Sequence, residues 1–429
     1  MIWTWALRPY YRTRLGVSDS PLAMRAGLMA LGCFPFIFAS ATKWNIITFI
    51  IGHSHEKLQR YHQFLSYIFV ILSLIHSFPW FLQGIYDLKP TFKSLTPFQW
   101  KWHVMFRDYY SSGAVLLFIL VWLCWASLPL IRRYHYELFK HIHIISAFAL
   151  TSFFFIHCRE ASGCWHYLFA TMLIYATACG CRLLWILYIN RAGIPRASFE
   201  LLHSGAVKLR VKCYRRQQWR PGQHYFLHFL TVMPFQSHPF TIANTPSEDN
   251  ELEVLIRKSD GVTRRLFQHL QSKDASATIP VILDGPFGGM HHDLSVYDRA
   301  ILFAGGSGIT FILPILQDLV QRAQEGTCAC MSIQVVWSVR ERGSILWMME
   351  ELTKVLEEAP NSMVTVQVHI TGAVETLEPE PEVDKRIVSL GTPLYGRPDA
   401  AGMIHAAASE GQTIGIAGKY ISLCSQFRC

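Results

Sequence analysis

The pattern of hydrophobic and polar positions changes once along the chain, near Asn190. Before that point, long runs carry almost no polar residues. Crossing a bilayer core takes ~20 apolar residues in a helix. Five segments reach that length: Leu22–Thr42, Tyr61–Leu82, Gly113–Ile131, Leu138–His157 and Tyr167–Ile189. The stretch "NIITFIIG" after Trp44 is too short to span alone and either extends the first helix or lies re-entrant. After Asn190, "FELLHSGAVKLRVKC", "GQHYFLHFLTV", "ELEVLIRK" and "ATIPVILDG" alternate in the manner of strands, with turn residues between them. That pattern predicts a small β-barrel. From Tyr297 the rhythm becomes strand "RAILFAGG", helix "ITFILPILQDLVQRAQ", strand "SIQVVWSVR", helix "SILWMMEELTKVLEEA" and strand "MVTVQVHIT". Alternating strands and helices predict a doubly wound parallel sheet. The acidic stretch "LEPEPEVD" (Leu377–Asp384) reads as an exposed loop, and no internal repeat is visible. The expected organisation is an N-terminal segment (residues 1–21), an all-α membrane bundle (22–190), a barrel domain (195–289) and an α/β domain (296–429).

Charge follows the same division. The net charge of +9 over 429 residues hides an asymmetry: residues 1–200 hold 18 Lys and Arg against 7 Asp and Glu, and residues 201–429 hold 21 against 23. Basic residues flanking apolar spans orient membrane helices. The connections holding Lys57 and Arg60, then Arg132 and Arg133, then Arg182, Arg191 and Arg196 are therefore read as cytosolic. The loop from Gln83 to Ser112 falls outside, although it carries Lys89, Lys93, Lys101 and Arg107. The charges are scattered between apolar runs, so no nucleic-acid surface is read from them. The 11 cysteines show no zinc-finger spacing. Cys158 and Cys164, at an expected outer loop, are either a disulfide or two free thiols. No cleavable signal peptide is visible after Met1.

Intramembrane histidines are costly and usually functional. Tyr61–His76 reads "YHQFLSYIFVILSLIH", with His62 and His76 14 residues apart; His143–His157, "HIISAFALTSFFFIH", repeats that spacing. Fourteen residues of helix turn through ~1400°, within ~40° of four full turns, and rise ~21 Å. Each helix thus presents two imidazoles on one face, one in each half of the bilayer. Two such helices side by side supply two bis-imidazole sites, as two stacked haems need; both axial positions are filled, which favours electron transfer. His62 with His143 would hold the inner haem, and His76 with His157 the outer. An intramembrane histidine can instead simply hydrogen-bond a neighbouring helix, but two independent helices repeating one spacing favours ligation. His53, His55, His103, His135, His141 and His166 have no matched partner and receive no role.

In the second half, "HPFTIAN" (His238, Pro239, Phe240, Thr241 onward) sits among strands. An aromatic followed by a hydroxyl residue can stack on a flavin and hydrogen-bond its edge. "RKSDGVTRRL" offers Arg257, a turn at Gly261, and Thr263 at a helix start, where pyrophosphate binds. Either stretch alone also fits an ordinary strand exit. "DGPFGG", with Gly285 and Pro286, and "AGGSGITFILP", with Gly305, Gly306, Ser307, Gly308 and Thr310, point to a nucleotide phosphate at a strand-to-helix turn. A tight βα turn that merely needs glycines is the alternative. Arg340 and Arg397 are candidates for the 2′-phosphate of NADP, with surface arginines as the alternative.

With these residues in hand, the chain resembles the fungal ferric reductase (metalloreductase) family of the ferric reductase/NADPH oxidase superfamily. The resemblance rests on "KWNIITFIIGHSHEKLQRYHQFLSY", "YELFKHIHII", "HPFTIAN", "DGPFGG" and "GGSGIT", and covers nearly the whole chain. It implies a transmembrane haem-binding helical bundle, a ferredoxin-reductase-like β-barrel binding FAD, and a doubly wound domain binding NADPH. The implied activity is electron transfer from cytosolic NADPH through FAD and two b-type haems to extracellular ferric or cupric chelates, in support of iron uptake. The implied setting is a multi-pass protein of the plasma membrane, with the vacuolar membrane as the alternative, acting upstream of an iron permease or oxidase. A superoxide-generating NADPH oxidase and an impaired haem-binding membrane protein are the competing readings. Several features depart from the family. Gln63 stands where an Arg usually follows the first haem histidine. Membrane segments expected before Leu22 are missing. "GIAGKYISLCSQFRC" keeps Gly418 for the nicotinamide but has Ala417 and Lys419 in place of a Cys-Gly-Pro turn. These departures lead us to expect a C-terminally incomplete nucleotide domain and slow hydride transfer.

Overall fold

The structure, a computed structural model, describes residues 21–51, 55–86, 108–134, 136–158, 163–213, 218–234, 236–246, 249–259, 261–274, 276–290, 292–360, 362–372, 392–409 and 412–419. Most of the expected outer loop before Ser112, the acidic stretch Leu377–Asp384, and everything after Lys419 lie outside these. The chain divides into two compact units between Arg182 and Leu183.

The first unit is helical: α1 (Pro21–Ala41), α2 (Ile46–Ile51), α3 (His55–Tyr86), α4 (Asp108–Ala126), α5 (Pro129–Tyr134), α6 (Tyr136–Cys158) and α7 (Cys164–Ile189), whose last turns belong to the second unit. "NIITFIIG" forms the separate short helix α2, its first turn held by Asn45 Oδ1 accepting from Thr48 N at 2.7 Å. Among the described residues, α1, α3, α6 and α7 carry stretches long and apolar enough to cross a membrane. The apolar part of α4 is shorter, Ser111–Ala126. It stops before Pro129, which opens α5, so the span expected to run on to Ile131 breaks in two. Proline suits a first helical turn and disrupts a helix interior. Helix α3 shows how the bundle divides its faces. Phe69 and Leu72 are buried, while Phe64, Tyr67, Ile71, Leu74 and Phe78 form an exposed stripe at helical spacing. In water that stripe would be an aggregation hazard; hydrocarbon suits it.

The second unit holds two sheets. Strands β1 (Arg196–Leu202), β2 (Ala206–Lys212), β3 (Gln223–Phe229), β4 (Ser237–Thr241), β5 (Glu251–Arg257) and β6 (Ile279–Gly288), with helix α8 (Val262–Gln271), build an antiparallel sheet in the order β4-β3-β6-β1-β2-β5. It curls until its edges touch at the Ile242–Val254 bridge. Alternation sends Val207, Leu209 and Val211 inward to Leu252, Val254 and Ile256. Strands β7 (Arg299–Gly305), β8 (Ser332–Val339), β9 (Val364–Ile370), β10 (Leu394–Tyr395) and β11 (Ile414–Lys419) pair in parallel in the order β10-β9-β8-β7-β11. Helices α9 (Ile309–Gln324) and α10 (Met349–Glu358) share one core with Ala300, Leu302 and Ala304 of β7. On the other face, α11 (Ala400–Ala408) packs on Ile301 and Phe303. The parallel sheet is thus wound on both sides.

Three contacts tie this unit together. Lys208 on β2 is only 5% exposed. Its ammonium meets Glu351 on α10, and Glu253 on β5 at 3.5 Å. Trp347 Nε1 donates to the His203 carbonyl at 2.9 Å. A buried ammonium is tolerated only when paired. We therefore expect Glu351→Ala, which leaves Lys208 with Glu253 alone, to cost ~1–3 kcal/mol. Calorimetry of the solubilised chain should show the second unit's transition lowered by ~2–4 °C for each kcal/mol lost. An unchanged midpoint would show that Glu253 suffices.

Candidate functional site

The four intramembrane histidines meet in two pairs. The His62 and His143 ring centres lie 6.3 Å apart, and those of His76 and His157 lie 6.2 Å apart. Helices α3 and α6 therefore run in the same direction, as the repeated 14-residue spacing requires. Every one of the four Nδ1 atoms has a partner. His62 Nδ1 reaches the Ile37 carbonyl at 3.0 Å and His76 Nδ1 the Ala23 carbonyl at 2.8 Å, both on α1. His143 Nδ1 meets Ser127 Oγ at 3.3 Å and His157 Nδ1 meets Ser112 Oγ at 3.1 Å, at either end of α4. A carbonyl only accepts, so His62 and His76 carry their proton on Nδ1. Their Nε2 is then the nitrogen with the lone pair, the form that binds a metal.

This arrangement fits a haem in each pair. A metal held by two imidazoles at ~2.0–2.1 Å per bond, with each nitrogen about 1 Å from its ring centre, spaces the ring centres by ~6 Å. Two glycines flank the His76–His157 pair. A Cβ on Gly27 would lie 2.6 Å from His76 Nδ1, and one on Gly113 would lie 3.1 Å from His157 Cε1. The sequence reading missed Gly27, Gly113, Ser112 and Ser127. Small residues at helix contacts were the available sign. Beside this site, Cys158 and Cys164 are free thiols.

In the barrel, Phe240 turns inward. Its ring is 9% exposed and packs on Phe229 at 5.9 Å. The neighbouring Thr241 lies across from His224, Pro239 across from Phe226, and His238 across from the buried Leu227. Arg257 ends β5, exposed. Gly261, at φ 75°, precedes α8, with nothing within 4 Å of where its Cβ would stand. Thr263 Oγ1 accepts from Ser259 N at 3.0 Å and so closes this turn. The motif "DGPFGG" is a bulge in β6. Asp284 pairs with Phe226 and Phe287 with His224, so Gly285 and Pro286 together oppose Tyr225. Proline cannot donate to a ladder, and a bulge is where a strand accepts one. Burial pushes the Tyr225 phenol far above its ordinary range, so under Gly285 it stays neutral.

The parallel sheet brings the remaining candidates to the carboxyl ends of its strands. Gly305 closes β7, and Gly306–Gly308 turn into α9. Trp337 Nε1 donates to the Gly306 carbonyl at 3.0 Å. Thr310 Oγ1 donates to the Ser307 carbonyl at 2.9 Å, so this hydroxyl fastens the turn. Gly418 lies beside Phe303 near the end of β11, at the same edge. Arg340 follows β8, and Arg397 follows β10 by two residues. Strand β9 lies between them, so both arginines reach one edge. Arg342, which the sequence reading passed over, donates to the Tyr395 hydroxyl and lies 5.9 Å from that ring.

The histidine geometry gives a direct expectation. Gly27→Ala should push the His76 ring aside and remove a haem held by His76 and His157, sparing that of His62 and His143. Haem per protein would fall by about half, read from the low-spin absorbance of the purified chain. Full haem content in this variant would show that haem binding does not depend on the close approach at Gly27.

Three family models match the chain in succession. Residues 26–154 match the family model of the ferric reductase like transmembrane component. Residues 191–291 match an FAD-binding domain, and residues 297–417 the ferric reductase NAD binding domain. The chain is 31% identical over 390 residues to the "Probable cell surface ferric reductase kap2" of Aspergillus oryzae, covering 86% of this chain and 50% of that protein. It is 29% identical over 358 residues to the "Ferric/cupric reductase transmembrane component 7" of Saccharomyces cerevisiae, covering 82% of this chain and 55% of that one. The chain thus spans about half the length of these curated relatives. The three matches follow one another along a helical unit, an antiparallel sheet and a doubly wound sheet, and the chain belongs to the fungal ferric reductase family.

Proposed function

We propose that this chain is a transmembrane reductase that passes electrons from cytosolic NADPH through FAD and two b-type haems to ferric or cupric chelates outside the membrane. The plasma membrane is its proposed site, with an iron permease or oxidase taking up the reduced metal. The observation that carries the reading is the pair of imidazole tiers, with ring centres 6.3 and 6.2 Å apart and every Nδ1 engaged. When bound, the nicotinamide would supply a hydride, two electrons and a proton, and the flavin would release the proton and pass the electrons singly to the haems.

The chain's own residues bind and orient. His62 and His143 would hold one haem iron, and His76 and His157 the other. Thr241 would contact the flavin edge beside Phe240, with His238, Pro239 and Arg257 around it, and Gly261 and Thr263 would open α8 to the pyrophosphate. Gly285, Pro286 and the Gly305–Thr310 turn would face the NADPH phosphates and nicotinamide, with Gly418 alongside. Gly306 has nothing within 4 Å of where its Cβ would stand. Arg397 and Arg340 would take the 2′-phosphate.

The test is reduction of the purified, lipid-embedded chain. NADPH under argon should bring out the reduced low-spin haem bands, and adding a ferric chelate should restore the oxidised spectrum. Haem that dithionite reduces and NADPH does not would defeat the reading. Superoxide formed in air as fast as ferric chelate is reduced would point to an oxidase instead.

Nucleotide choice gives a second expectation. A guanidinium meets phosphate through charge-assisted bonds of ~1.5–3 kcal/mol each. Arg397→Ala should therefore weaken NADPH by ~10-fold or more and NADH little, with a smaller effect from Arg340→Ala. Equal weakening of both nucleotides would mark Arg397 as structural.

A further inference from the structure

Each histidine pair has two kinds of anchor. On α3, His62 and His76 give their Nδ1 protons to the backbone carbonyls of Ile37 and Ala23. On α6, His143 and His157 meet the hydroxyls of Ser127 and Ser112. The carbonyls cannot be changed by a side-chain substitution, and the hydroxyls can. We propose that Ser112 and Ser127 are positioning residues that set the reduction potentials of the two haems separately, each through the Nδ1 of one axial histidine. This rests on the haem ligation proposed above.

A histidine whose Nδ1–H donates to an acceptor pushes more electron density through Nε2. A stronger donor favours ferric over ferrous iron and so lowers the potential. Each haem would have one histidine with a carbonyl acceptor and one with a hydroxyl. A hydroxyl can turn its own proton away and accept, and its weaker acceptance leaves that histidine the lesser donor of the two. The placement supports a tuned contact. Ser112 is 6% exposed and lies 3.1 Å from His157 Nδ1, beside Gly113, whose missing Cβ lets the ring approach. Ser127 stands just past the end of α4. Its N–H donates to the Leu123 and Cys124 carbonyls at 3.1 and 3.2 Å, which fixes the backbone that carries the hydroxyl, and the bond to His143 is longer, 3.3 Å. The chain therefore carries one adjustable contact at each haem, tighter at His157.

The experiment is a spectroelectrochemical titration of the two haems in the whole 429-residue chain embedded in lipid. Ser112→Ala should raise the potential of the His76–His157 haem and leave the other in place. Ser127→Ala should raise the His62–His143 haem, by less. Ser112→Thr, which keeps a hydroxyl, should restore the wild-type value. If Ser112→Ala fails to keep its haem, Ser112→Cys carries the test, as a weaker acceptor expected to give an intermediate potential. Two low-spin haems whose potentials stay unmoved in these variants would overturn the proposal and leave the ligation intact. A wild-type chain that binds no low-spin haem would overturn both.

Discussion

The membrane unit is organised by the cost of an imidazole N–H in hydrocarbon. An unpaired polar group there costs several kcal/mol, so each ring must find a partner before it can do anything else. The partners found are backbone carbonyls on α1 and hydroxyls at the two ends of α4. Satisfying Nδ1 has a chemical consequence for Nε2. At His62 and His76, where the partner is a carbonyl, the same bond that makes the ring tolerable in the membrane fixes it in the metal-binding tautomer; at His143 and His157 the hydroxyl orients the ring. Stability and preparation for ligation are here one interaction.

That constraint also explains the arrangement of helices. His62 pairs with Ile37 and His76 with Ala23, so α1 and α3 run antiparallel, and their partners repeat at the histidines' own spacing of 14. His143 pairs with Ser127 and His157 with Ser112, so α4 and α6 form a second antiparallel couple with nearly the same offset. Two helical hairpins thus present two histidines each, and each hairpin places one glycine against its later histidine, Gly27 at His76 and Gly113 at His157. Neither glycine has a positive φ or a turn to explain it; close approach of a ring does.

The histidine pairing was legible because a 14-residue spacing is a statement about helix geometry, and helix geometry is the same everywhere. The sheets were legible for the same reason, through their period of two and their alternation with helices. The anchors were not. A carbonyl acceptor carries no residue identity, so Ala23 and Ile37 look like any apolar helix positions. Phe240 reads as a flavin-stacking aromatic next to Thr241, but in the structure its ring fills the barrel core beside Phe229, because strand alternation puts it opposite Tyr225. Arg342 was passed over because its partner, Tyr395, lies 53 residues away. The third span was drawn too long because its apolar run continues through Pro129, where the backbone cannot.

Donor satisfaction also orders the second unit, and it accounts for a motif that composition alone does not. Placing Pro286 in an interior strand removes one ladder donor, and the bulge it needs frees the carbonyl of Gly285 from regular pairing. Trp185 Nε1, from the last turns of α7, donates to that carbonyl at 2.8 Å. Five residues on, Asn190 closes a two-way bond with Leu283, its Nδ2 donating to the carbonyl at 2.9 Å and its Oδ1 accepting from the amide at 3.2 Å. An amide side chain that pairs with both backbone groups of one residue replaces a strand neighbour, so β6 is held beyond its partners β1 and β3. The glycines and proline of "DGPFGG" then sit on a strand fixed at Leu283, just before the bulge, and at Gly285 within it. A loop able to approach a nucleotide closely needs small residues, and small residues pack poorly; here the missing packing is supplied from the side by one indole and one amide.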